Sequence, residues 1–223
     1  MLLVGQHLRP GEARRAPVGP HAAVTERASA PPPARKSGAP PPAGTSGKFV
    51  YVPGYGPVLG QAGTIRRFQV AVELPVAPAT AAAFADEVDR VLGDPRSWIA
   101  ARNVRFQRVP HAAPAEFVVH LASARTSQLM CRRGGLETAG YTSCRLARQV
   151  IINADRWRRA VPGYGAPLAT YRAYAINHEV GHELGYGHEA CPGKGRLAPV
   201  MMQQTYGLKG CAANAWPHPG GSA

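Results

Sequence analysis

Alternation of hydrophobic and polar residues identifies the first predicted strand. In the segment "RRFQVAVE", Phe68, Val70 and Val72 fall on one face of an extended chain. Further runs of branched and aromatic residues predict strands near 104–109, 116–122 and 149–153. The last run is continuously apolar, which favours a central position in a sheet, where both faces are covered.

Two segments have the features of helices. The alanine-rich run Pro78–Leu92 begins with a proline and is followed by Gly93 and Pro95, which are typical start and stop signals. A second helix is predicted from about Leu168 to Gly185, where tyrosines precede a histidine-rich sequence. Strands and helices together indicate an α+β domain with a sheet backed by two helices.

Residues 1–48 show neither the two-residue alternation of a strand nor the apolar spacing of a helix. This part is rich in proline, alanine, glycine and arginine, and it contains "PPPARKSGAPPPAGTSG". Such a composition cannot bury enough apolar surface to fold, so it predicts a disordered tail or linker. Aromatic and branched residues recur from Phe49 onward, and we therefore expect the folded domain at 49–223.

The densest group of chemically active side chains lies in "NHEVGHELGYGHEACPG", residues 177–193. His178 and His182 are spaced so that both lie on one face of a helix, about one turn apart, where both imidazoles can reach one metal ion. Glu179 follows the first histidine and can act as a general base without being a ligand. This H-E-x-x-H arrangement predicts two zinc ligands and a catalytic carboxylate.

A third ligand is predicted at His188. On a continuous helix, His188 would lie about 15 Å along the axis from His178, too far to share a metal ion. The helix must therefore end before it, and Gly185 is suited to this position because glycine adopts the left-handed conformation at helix ends without steric cost. Three protein ligands leave one position on zinc open, which is typical of catalytic sites.

The string H-E-x-x-H-x-x-G-x-x-H resembles that of the metzincin zinc metallopeptidases, which also have a methionine in a tight turn below the metal. The segment "APVMMQQT" follows, and the resemblance implies that Met201, rather than Met202, is this Met-turn residue; ordinary core packing is the alternative for both. With "DPRSW" (94–98) and "RFQRV" (105–109), the motif is similar to a bacterial metzincin-like domain family of unassigned function, over roughly residues 49–217. The resemblance implies a twisted mixed sheet backed by two helices, an active-site helix carrying HExxH, and a small loop-rich C-terminal subdomain.

These residues favour a zinc-dependent endopeptidase with one catalytic Zn²⁺, which acts as a monomer on a peptide or protein substrate. The alternative is a non-catalytic zinc-containing module that binds peptide or cell-envelope material. An intact Glu179 favours the enzyme, because a pure binding module has no need of this carboxylate. A structural zinc site is disfavoured, since such sites normally have four protein ligands.

Other polar side chains near the motif are not expected to bind the metal. Glu183 and Glu189 are predicted to be solvated or to support the ligands. Tyr206 lies farther beyond the methionines than the metal-contacting tyrosine of some metzincins, which argues against such a contact here.

The cysteines indicate the compartment. The chain has four cysteines, which allow three pairings. The local one, Cys131 with Cys144 and Cys191 with Cys211, would close a loop before the central strand and the loop that carries the methionines. Disulfides are favoured over a second metal site because no C-x-x-C pair is present. Disulfides are typical of oxidising compartments and predict a secreted or cell-surface protein. The start "MLLVG" is too short for a signal core, so we expect a signal or membrane anchor upstream of this start.

A net charge of +13 raises the question of nucleic-acid binding. The basic residues are scattered along the chain and accompany no nucleic-acid-binding signature, so no nucleic-acid partner is expected. An anionic cell-envelope polymer is a second hypothesis for the basic surface, and it predicts salt-sensitive binding.

Overall fold

The computed structural model describes residues 45–221, and the predicted tail lies almost entirely outside them. These residues form seven strands: β1 (Phe49–Tyr51), β2 (Val58–Leu59), β3 (Thr64–Glu73), β4 (Val104–Arg108), β5 (Phe117–Ala122), β6 (Cys144–Leu146) and β7 (Gln149–Asn153). They build one twisted mixed sheet in the order β2-β4-β3-β5-β7-β6, with β1 paired to β3. The strands β4, β3, β5 and β7 are parallel, whereas β1, β2 and β6 pair antiparallel with their neighbours.

Four α-helices surround this sheet in the described residues: α1 (Pro78–Leu92), α2 (Ala124–Arg133), α3 (Ala154–Arg159) and α4 (Leu168–Glu183). The two predicted helices, α1 and α4, belong to the main core together with Phe68, Val70 and Val72 of β3. The predicted strand and its core face are thus confirmed, since these three residues are at most 3% exposed. The intervening residues are buried as well, so both faces of this part of β3 are covered.

Helices α2 and α3 were not expected, so the described residues contain four helices where two were predicted. Helix α2 packs on the other face of the sheet, with Ala122 and Ile151. Its sequence has no broad apolar stripe, and other interactions hold it. The Ser123 hydroxyl caps its first turn, and the Glu73 carboxylate accepts hydrogen bonds from Ser123 N (2.7 Å) and Thr126 Oγ1 (2.6 Å). A disulfide between Cys131 and Cys144 joins α2 to β6.

The C-terminal part, residues 184–221, is built mainly of loops. It contains a short 3₁₀ helix, Gln204–Tyr206, and a second disulfide, Cys191–Cys211. The fully buried Gln204 donates from Nε2 to the carbonyl oxygens of Asn214 (2.7 Å) and Pro199 (3.2 Å), which ties two loops together. Hydrogen bonds from side chains therefore replace regular secondary structure here.

The disulfides form the local pairing of the three that four cysteines allow. Both are typical of a protein that folds in an oxidising compartment. Among the described residues, none of the helices combines the length and the apolar character that crossing a bilayer requires.

His120, in β5, is expected to make the fold sensitive to acid. Its side chain is buried, its Nδ1 atom has no hydrogen-bond partner among the described residues, and burial lowers its pKa from 6.5 to about 4. The unfolded chain therefore takes up this proton at a higher pH than the folded chain. The stabilisation is complete above the unfolded pKa and is lost as pH falls towards the folded pKa, by roughly 3 kcal/mol in total.

In the His120→Leu variant, the free energy of unfolding should change less with pH between the folded and unfolded pKa values of His120. The measurement is the free energy of unfolding, by chemical denaturation of both chains across this pH range. If the free energy of unfolding fell equally steeply with pH in the variant and the wild type, the assignment to His120 would be contradicted.

Candidate metal centre

Three imidazoles converge where α4 ends. The ligand atoms of His178, His182 and His188 all lie within 4.8 Å of one another, and the Nε2 atoms of His182 and His188 are 3.0 Å apart. Two nitrogen ligands of a tetrahedral zinc ion, each about 2.0–2.1 Å from the metal, stand roughly 3.3 Å apart. The cluster therefore fits a single metal ion of this size. Burial decreases from His178 to the exposed His188, so the cluster has a side that faces solvent.

Backbone carbonyls orient two of the imidazoles. His178 Nδ1 lies 2.8 Å from the Val200 oxygen, and His182 Nδ1 lies 2.8 Å from the Tyr186 oxygen. In each pair the carbonyl can only accept, so the Nδ1–H donates and the lone pair remains on Nε2. This arrangement fixes the tautomer and the ring orientation that a metal ligand needs.

His178 is held in the neutral form. Burial, aided by the nearby His182, lowers its pKa to about 3, although the hydrogen bond to Val200 acts in the opposite direction. A neutral imidazole is the form that binds a metal ion, so no proton has to be displaced from this ring near neutral pH.

The turn after α4 brings His188 back towards the helix. The Gly185 N–H donates to the His182 carbonyl (3.1 Å) and the Tyr186 N–H to the Gly181 carbonyl (3.0 Å), which is the Schellman arrangement. Gly185 has a φ of 96°, a conformation that strains residues with a side chain. The helix ends at Glu183, two residues before this glycine.

Glu179, which directly follows His178 on α4, has a buried carboxyl group. Its carboxylate has neither a hydrogen bond nor an ion pair with any described residue, and the residue is 5% exposed. Burial raises the pKa of this carboxyl to about 8. A dication held by the imidazoles would favour the ionised form and so act against this shift.

Met201 and Met202 occupy different surroundings. Met201 is 1% exposed and belongs to the main core, where its sulfur lies against the backbone of Gly181, the residue before His182. Met202 packs instead with the cluster that contains Cys211. Of the two candidates for the Met-turn residue, Met201 is therefore the one whose side chain lies against α4 beside His182.

The other polar side chains are distributed around the centre. Glu183 is not solvated: its nearly buried carboxylate accepts from Arg145 Nε (2.7 Å) and lies 4.0 Å from Arg66. Glu189 is exposed, and its backbone N–H donates to the Met201 carbonyl (3.1 Å). Tyr206 stacks on Tyr141 with ring centroids 6.0 Å apart. None of these three residues belongs to the three-histidine cluster.

Two residues that support α4 were not identified from the sequence. Asn177, fully buried, donates from Nδ2 to the Ala215 carbonyl (2.9 Å) and accepts at Oδ1 from the Ser97 hydroxyl (3.1 Å). Trp98 donates from Nε1 to the Asn177 carbonyl (3.0 Å). The segment "DPRSW" contains both Ser97 and Trp98, but nothing in its local pattern indicates a contact with the histidine motif.

Comparison with known proteins gives a family but no function. Residues 35–216 match the family model DUF3152, described as a protein of unknown function. Searches of curated proteins and of solved structures gave no match. The family match spans well over half of the 223 residues and includes the histidine cluster, both methionines of "APVMMQQT" and both disulfides. This chain therefore belongs to the DUF3152 family of proteins of unknown function.

Proposed function

We propose that this protein is a zinc-dependent endopeptidase of the metzincin type. One observation carries the proposal: the buried carboxyl group of Glu179, which has no hydrogen bond or ion pair within residues 45–221, lies on the same helix as two members of a three-imidazole cluster. A partnerless buried carboxyl group destabilises a fold, and such groups are concentrated at functional sites. A binding module would gain nothing from it.

The donor set supports zinc. Three imidazole nitrogens from His178, His182 and His188 suit zinc, although other transition metals accept them as well. When bound, zinc supplies a Lewis acid that polarises a peptide carbonyl and makes water acidic enough to attack near neutral pH. The chain itself holds two of the imidazoles in the required tautomer through the Val200 and Tyr186 carbonyls.

Glu179 would carry the proton through the reaction. As a general base it takes the proton from the attacking water, and as a general acid it gives this proton to the leaving amine. Burial raises the pKa of this carboxyl to about 8 in the chain without metal. A dication on the three imidazoles would lower this pKa and favour the ionised carboxylate, which is the form that accepts a proton from water.

The sheet edge next to α4 supports an extended peptide as the substrate. Among the described strands, β6 pairs only with β7, so its other edge presents unpaired backbone groups. The ion pair between Arg145 of β6 and Glu183 ties this strand to the end of α4 that carries His182. An extended peptide can add to such an edge through main-chain hydrogen bonds. The two disulfides support a secreted or cell-surface location for this activity.

Metal removal tests the proposal on the full chain. We expect one zinc ion per chain, and we expect cleavage of casein or mixed peptides that a chelator abolishes and added zinc restores. Zinc content is measured by elemental analysis and cleavage by the release of new amino termini. Bound zinc without cleavage of any peptide would favour the non-catalytic binding module.

A further inference from the structure

We propose that Trp98 is a positioning residue of the metal centre, which holds the loop whose Tyr186 carbonyl orients the imidazole of His182. This inference rests on the proposed zinc site and adds a residue to it that is distant in sequence. Trp98 begins the short 3₁₀ helix Trp98–Ala101, between α1 and β4, and the residue is 5% exposed.

The indole is fixed against α4 by a hydrogen bond. Trp98 Nε1 donates to the carbonyl oxygen of Asn177 at 3.0 Å, and Asn177 directly precedes His178. Asn177 is itself held by Ser97, the neighbour of Trp98, and by Ala215. Two adjacent residues at the start of the 3₁₀ helix, Ser97 and Trp98, are thus both bonded to Asn177 in the middle of α4.

The indole ring also lies against the backbone of Gly181. A Cβ atom at this position would be 2.7 Å from Trp98 Cζ2, closer than real Cβ contacts allow. Only glycine permits this approach. Because Gly181 precedes His182 directly, the ring contacts the helix beside the second metal ligand.

The same ring supports the loop beyond the helix. Trp98 and Tyr186 are stacked, with ring centroids 4.5 Å apart and planes 24° apart. The Tyr186 side chain is otherwise solvent-facing, with 46% of the residue exposed. Its backbone carbonyl accepts the Nδ1–H of His182 at 2.8 Å. The stack therefore restrains the carbonyl that sets the tautomer and orientation of His182.

Loss of this support should weaken metal binding. Removal of the groups that orient metal-bound imidazoles typically lowers metal affinity by about 10- to 100-fold. We expect Trp98→Leu to lower zinc affinity within this range. Tyr186→Leu should lower it about 10-fold, and Tyr186→Phe, which keeps the stacked ring, should leave it unchanged.

Zinc affinity of the full chain is measured by competition with a chromophoric chelator, and the visible spectrum of the cobalt-substituted chain reports the ligand geometry. Trp157→Leu is the matched control. Trp157 is also largely buried, at 9% exposure, and packs edge-on against Phe84 with ring centroids 4.9 Å apart in the main core; among the described residues it has no ring contact with the three histidines. We expect it to lower the melting temperature of the metal-free chain without lowering zinc affinity.

The outcomes separate the two proposals. A wild-type chain that binds no zinc would contradict the proposed function. A wild-type chain that binds zinc, with Trp98→Leu and Tyr186→Leu variants that bind it within twofold as tightly, would overturn only the role of Trp98. If Trp98→Leu does not fold, Tyr186→Leu decides, because its exposed ring can be removed without opening the core.

Discussion

Glu179→Ala is expected to bind one zinc ion as tightly as the wild-type chain and to hydrolyse peptides about 10²- to 10⁴-fold more slowly. The proposed zinc site consists of three imidazoles, and Glu179 is not a member of that cluster. The carboxylate also has no partner among the described residues, so its removal leaves no donor unsatisfied. Only the proton transfer is lost. Zinc content and the cleavage rate of one peptide, measured on the same preparation, check both expectations.

Two variants of neighbouring residues control this experiment. His182→Ala removes a ligand, so it should lose both zinc and hydrolysis. Glu189→Ala removes an exposed carboxylate directly after the third histidine and should keep both. Full activity of Glu179→Ala would show that another group accepts the proton and would make the assigned role wrong.

The metal cluster could be predicted because its geometry is local. Residues four apart on a helix always share a face, so the positions of His178 and His182 follow from spacing alone. The return of His188 needs only a helix end, and a glycine that tolerates positive φ marks where the chain turns. Such features depend on the spacing of residues within a short segment, and this spacing can be read directly from the sequence.

The supporting residues could not be predicted because their partners are distant in the chain. The hydrogen bond of Trp98 joins it to Asn177, 79 residues away, and Ser97 reaches the same residue across 80. Glu183 has charged partners on β3 and β6, Arg66 and Arg145, and a local pattern cannot distinguish this ion-paired glutamate from a solvated one.

The missed elements have the same cause. Helix α2 is stabilised by a cap, by the Glu73 carboxylate and by a disulfide, rather than by an apolar stripe that periodicity would display. Strand β6 has only three residues, Cys144–Leu146, and depends on pairing with β7 and on the same disulfide. Interactions with the rest of the fold, and not local preference, define both elements.

Gly181→Ala is expected to destabilise the protein and to weaken zinc binding, although alanine normally stabilises a helix by about 1 kcal/mol relative to glycine. The added Cβ would stand 2.7 Å from Trp98 Cζ2 and would overlap the Met201 sulfur. Both neighbours are at most 5% exposed, so neither can move into solvent. Overpacking of a core typically costs about 1–3 kcal/mol, which exceeds or offsets the gain in helix propensity.

The strain would act at the metal centre because Gly181 lies directly before His182. We expect a lower melting temperature of the metal-free chain and about a 10-fold loss of zinc affinity, of the size seen when groups that orient ligands are disturbed. Gly187→Ala is the matched control, since a Cβ there meets no atom within 4 Å. Met201→Ala removes the overlapping sulfur, so Gly181→Ala should cost less in that background than in the wild type. If Gly181→Ala instead raised the melting temperature, helix propensity would outweigh the contacts with Trp98 and Met201, and these two side chains could not be the rigid support of the metal helix.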